Sequence, residues 1–167
     1  MSQRPQTLRD VAVDAAKAPA LLHPRTRELL DEFYMDHNQK PAQQARIDAE
    51  PPILGDAFAD AWLAAVAEHL ALRWGLAVPA WVERPAGFLL SKPAFLGSES
   101  MKPILLNESP YPFRRRMIFV EAEPLRRARF PTPHVRPLSE QVAEMPVDAS
   151  LSRSAIRLGW CQCEHRK

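Results

Sequence analysis

A chain of 167 residues, 46% of them apolar, is long enough for one domain with a core, burying roughly 70% of its unfolded surface. Five glycines against seventeen prolines argue against phosphate loops, dinucleotide folds and turn-rich sheets, which need many positive-φ positions. The net charge of +2 hides an asymmetry: residues 114–136 hold seven arginines against Glu121 and Glu123, a local +5 that leaves −3 elsewhere.

In chain order, residues 6–18 (QTLRDVAVDAAKA) read as a short helix with Leu8, Val11 and Ala15 on one side. A clearer helix follows. Pro24 sits in its first turn, where a missing N–H costs nothing, and Leu29, Leu30, Phe33, Tyr34 and His37 recur at helical spacing until about Asp36–Lys40. Residues 41–50 are polar and read as a further short helix, closed by Pro51-Pro52. The strongest element is 56–74, DAFADAWLAAVAEHLALRW, with Asp56 as N-cap and Gly75 where the chain turns out. Its apolar stripe is so wide, with only Asp60, Glu68 and Arg73 as polar breaks, that it is expected at the centre of the core. That window carries charges and ends in prolines, so it reads as a buried helix and not a membrane span.

Residues 76–98 are punctuated by proline and read as turns and loops packed by their aromatics; 99–107 reads as a turn leading into a short extended or helical piece. Met117–Val120 is β-prone but short, fitting a hairpin strand or a buried linker, and Glu123–Arg129 reads as a short helix started by Pro124. The expected fold is mainly α, a compact bundle of short helices around the central helix 56–74, with Pro-rich irregular segments and at most one short strand pair. Residues 1–130 are expected to form a single helical domain, and 131–167, polar and rich in Pro and Ser, a loosely held or disordered tail.

The sequence announces no chemistry. Cys161, Cys163 and His165 lie on one tail, with no second cysteine pair to complete four zinc ligands, so no metal and no cofactor is expected. Nothing at the N-terminus resembles a signal peptide, and a reducing cytoplasm is the expected location. Of the five histidines, His69 lies on the apolar face of the main helix, where a core role outweighs a catalytic one, and His37 near a helix end. No nucleophile elbow, HExxH or Walker motif accompanies them.

The best feature is NESPYPFRRRMIF at 107–119. Each guanidinium of Arg114, Arg115 and Arg116 presents a planar fork suited to carboxylate or phosphate. Successive residues face different ways, so some should be tied to Glu108, Glu121 or Glu123 while the others face outward. Tyr111 and Phe113, between prolines, fit either a stacking platform or a core seal. With Arg126 and Arg127 these residues form the expected partner-binding set; Glu108, Glu121, Trp62 and Trp81 are its expected structural support.

Three segments, LLDEFYMDH, PPILGDAFADAWLAAVAEHLALRWGLAVPAWVERPAGFL and ILLNESPYPFRRRMIFVEAEPLRRAR, together resemble a group of small bacterial proteins encoded beside nucleotidyltransferase-like genes, in toxin–antitoxin-type pairs. The resemblance covers roughly residues 28–129 and is most specific in ESPxxFRRRxIFVEAxxL. It implies a signature of Glu108, Ser109, Pro110, Phe113, Arg114, Arg115, Arg116, Phe119, Glu121 and Leu125, with Pro79, Ala80 and Trp81 as a second one. It also implies a non-enzymatic, antitoxin-like or regulatory protein that binds a nucleotidyltransferase-type partner, a possible toxin, through residues 107–129. The alternative is a DNA-binding transcriptional regulator with the two N-terminal helices as reader and the arginines on phosphate, against which stand Asp31, Glu32 and Asp36 on the reading helix. A small enzyme using His69 or His37 is the third reading.

Overall fold

The computed structural model describes residues 4–83 and 88–127. The expected tail and the Cys161–His165 cluster lie outside the described residues. Among the described residues six α-helices run in order: α1 (Leu8–Lys17), α2 (Leu22–Met35), α3 (Lys40–Asp48), α4 (Ala57–Trp74), α5 (Lys102–Glu108) and the single turn α6 (Tyr111–Arg114). Two short strands, β1 (Ala94–Phe95) and β2 (Ile118–Phe119), complete the set. The fold is mainly α, as the composition and periodicity predict.

Helix α4 is the axis of the core. From Ala59 to Ala71 every residue except His69 is buried. Its ends follow from two side chains. The Asp56 carboxylate accepts the N–H groups of Phe58 (2.9 Å) and Ala59 (3.1 Å), and Gly75 leaves the helix at φ 59°, a left-handed conformation strained for any other L-residue. Lys40 then donates its ammonium to the Trp74 carbonyl, a cation at the negative end of the helix dipole.

The polar residues of α4 are not solvated breaks. Asp60 is buried and accepts the N–H groups of Leu54 (2.9 Å) and Gly55 (3.2 Å), pinning the turn that leads into the helix. Helix α3 is stitched to the chain beyond α4. Gln44 exchanges two bonds of 2.9 Å with the backbone of Ala77, and the Trp81 indole donates to the Ile47 carbonyl at 3.1 Å. Helix α1 begins at a capping box in which Thr7 and Asp10 each bond the other's backbone N–H.

Two local expectations are corrected. The 117–120 stretch is neither hairpin nor plain linker: β2 pairs in parallel with β1, in register Ala94 with Ile118 and Phe95 with Phe119. A parallel pair needs a crossover, and α5 with α6 supplies it. Over the described part of 123–129 there is a turn in place of a helix. Only Arg126 N–H closes back on Glu123 (3.2 Å), and the next contacts are long-range. Leu125 is buried and its carbonyl accepts the Tyr34 hydroxyl at 2.8 Å, while Arg127 forks onto Asp31 at 2.7 and 3.0 Å. These anchors to α2 outweigh the propensity of five residues.

The Tyr34 bond gives a measurable expectation. Tyr34→Phe keeps the ring against Phe33 and Trp74 but strands a buried carbonyl. Urea unfolding should show a loss of about 1–2 kcal/mol; an unchanged midpoint would mean that the 125–127 turn is not held by this bond.

Candidate functional site

The arginine triplet rides on α6. Pro110 and Pro112 fix φ at the start of the turn, and the Pro110 carbonyl accepts the N–H groups of Phe113 (3.1 Å) and Arg114 (3.0 Å). The coil continues as Arg115 N–H bonds Tyr111 (2.9 Å) and Arg116 N–H bonds Phe113 (3.0 Å). In such a turn successive side chains diverge by about 100°. Phe113 and Arg116, three apart, therefore share the inward side, and the three arginines have three different fates.

Arg116 is buried, 2% exposed. Its Nη1 donates to Glu68 Oε2 and to the Pro112 carbonyl (2.7 Å), and its Nη2 to the Val82 carbonyl (3.1 Å). Burial pulls the guanidinium below its usual pKa, opposed by Glu68, yet an arginine stays charged throughout the physiological range. Arg115 is half-buried, with Nη2 on Glu83 at 2.8 Å, Nε 3.3 Å from Glu68, and its guanidinium 5.8 Å from the centre of the Tyr111 ring. Arg114 is exposed. Two arginines and two glutamates thus form a charge-balanced clamp joining α6, α4 and the turn at Ala80–Glu83.

The carboxylates differ from those expected. Glu108 and Glu121 are exposed and bond none of the three arginines, while Glu123 pairs with Arg73 at 2.6 Å. Phe113 is fully buried against Trp62 (5.3 Å between ring centres) and His69 (5.5 Å), so it seals the core and offers no stacking face. Trp62 and Trp81 are both buried. Arg127 is occupied by Asp31, and Arg126 is exposed. Of the seven residues expected to meet a partner, Phe113 and Arg116 are therefore corrected to internal positions. Tyr111, Arg114 and Arg126 are exposed, and Arg115 and Arg127 are partly so.

Glu68 escaped the sequence reading as a partner of the triplet. The signal for it is a lone acid among apolar residues at 61–67 and 70–72, where a carboxylate needs an internal cation.

The frame around α6 is fixed by Ser109. Its buried hydroxyl lies 2.6 Å from the Leu105 carbonyl and 2.9 Å from that of Val120, and accepts the Val120 N–H at 2.8 Å. This ties the end of α5 to the chain leaving β2. Met117, at φ 62°, is a non-glycine residue in the left-handed region, and this strained step turns the helical chain into β2. The large apolar residues Ile104 and Leu106 on α5 and Tyr111 on α6 are each about half exposed or more, and Arg114, one turn on from Tyr111, is exposed as well.

The two histidines of the third reading sit in different surroundings. His69 is packed on Phe113, and burial with the nearby Arg73 lowers its pKa to about 4, so it is neutral at pH 7. His37 is exposed and hydrogen-bonded to Asn38. Among the described residues no three His, Cys, Asp or Glu side chains converge to hold a metal ion, and no helix is long and apolar enough to cross a membrane. Comparison with known proteins finds no family model, no curated protein and no solved structure that matches this chain.

Proposed function

We propose that this chain is a non-enzymatic, antitoxin-like binding protein whose α5–α6 surface docks on a nucleotidyltransferase-type partner. The observation that carries the binding role is the division of labour in the triplet. Arg116 and Arg115 are spent on Glu68 and Glu83, which locks α6 in place, while Arg114, exposed on the same turn as Tyr111, makes no ion pair among the described residues. An exposed Tyr and Arg on one turn are residue types that dominate binding energy in protein interfaces. Held on a rigid turn, the Arg114 fork suits a carboxylate of the partner's metal site or a phosphate in its nucleotide pocket. The choice of partner follows the resemblance of residues 28–129. The DNA-reading alternative is weakened because Arg115, Arg116 and Arg127 are each paired with a carboxylate of the chain, which leaves Arg114 and Arg126 as the unpaired arginines among the described residues of this segment.

Co-expression with the product of the adjacent gene, followed by affinity capture, tests this. Tyr111→Ala combined with Arg114→Ala should weaken the complex by about a hundredfold, two hot-spot losses of about 1–2 kcal/mol each, with thermal stability unchanged. Failure to form a complex, or an unchanged affinity in the double variant, would overturn it. Retention on DNA that falls steeply with salt would favour the alternative.

A further inference from the structure

A cleft of about 270 Å³ lies between α2, α4 and the chain that follows β2. Leu30, Trp62, Leu96, Val120 and Leu125 give it apolar walls, and His23, Arg27 and Glu121 line it with exposed polar groups. Two of its groups are available to a ligand. Arg27 makes no ion pair among the described residues, whereas Arg25 on the same helix pairs with Asp14 and Glu28. Trp62 is only 5% exposed, yet its Nε1–H has no acceptor; buried indole N–H groups ordinarily find one. His23 packs on that indole, 4.9 Å between ring centres with the planes at 77°, and is itself exposed, so its side chain has room to turn toward solvent.

The cleft therefore offers apolar area, a free guanidinium and an unused N–H donor. Its volume is below that of sites for drug-sized ligands, which rules against a nucleotide. Glu121 on the same lining repels a doubly charged phosphate more than a monoanion. We propose that this cleft binds a small apolar carboxylic acid, its body against Leu30, Trp62 and Val120 and its carboxylate on Arg27, with the Trp62 N–H as second donor once His23 turns aside. The site is independent of the α5–α6 surface and stands or falls separately from the partner assignment.

The test uses the full chain labelled with nitrogen-15 and titrated with sodium phenylacetate, with phenylacetamide as the uncharged counterpart. Saturable movement of the assigned Trp62 indole N–H resonance is expected with the acid. The amide should bind at least about tenfold more weakly, and Arg27→Gln should weaken the acid by a similar factor, as loss of a charge-assisted bond implies. Arg27 is exposed, so the variant should keep the parent spectrum elsewhere. No saturable shift at Trp62 up to the solubility limit of the acid, or equal affinity for acid and amide, would overturn the proposal.

Discussion

Glu68→Gln should destabilise the protein by about 3–5 kcal/mol, the penalty for leaving a buried cation without its counter-ion. Arg116 has nowhere to go. It is enclosed by α4, α6 and the Val82 turn, and its two carbonyl acceptors supply dipoles but no charge. Coulomb attraction to Glu68 is the one large term that offsets its desolvation. The amide of glutamine keeps the shape and removes that term. Replacing both partners by apolar residues, Glu68→Leu with Arg116→Met, should recover most of the loss, because a well-packed apolar pair avoids both desolvation penalties. Urea unfolding of the two single variants and the double variant measures the coupling. A Glu68→Gln protein within about 1 kcal/mol of the parent would show that the clamp is not what holds α6 to α4.

The consequence reaches the proposed binding surface. Tyr111 and Arg114 belong to a helix of one turn, too short to persist alone. Their geometry depends on Phe113 and Arg116, which face the core from the same turn. The residues of this turn thus divide into those that shape the surface from beneath and those that form it.

How far the sequence could lead varies with the range of the interaction. The limits of α4 were legible because Asp56 and Gly75 carry their capping chemistry locally. The splitting of the arginines was legible too, since adjacent residues cannot share one direction. Their partners were not: Glu68 and Glu83 lie on segments far back in the chain, whereas local reasoning pointed to Glu108, Glu121 and Glu123. Helix α6 and the parallel partner of the β-prone 117–120 stretch were not legible for a different reason. Elements of four and two residues hold too few positions to show a period, and tertiary contacts decide them. The role of Phe113 turned on burial, which the alternation of prolines and aromatics left open.

Acidification should loosen the same region through His69. Its folded pKa is about 4 against 6.5 for the free side chain, lowered first by burial and then by Arg73, with Phe113 packed on the ring. Above pH 6.5 the imidazole is neutral whether the chain is folded or not, so its contribution is constant. Between 6.5 and about 4 the unfolded chain takes up the proton and the folded chain does not, so stability falls as pH falls. Below about 4 both forms are protonated and the loss levels off. The full window corresponds to about 3 kcal/mol, an upper figure because the ring retains some exposure. His69→Leu removes the titration while keeping an apolar contact with Phe113. The stability difference between parent and variant should therefore shift by about 2–3 kcal/mol in the variant's favour between pH 7 and pH 4. Carboxylates and His23 titrate in both proteins and largely cancel from this difference. A difference that stays flat would place the His69 ring in water; a sloping one would make the α4–α6 contact, and with it the presentation of Tyr111 and Arg114, weaken in acid.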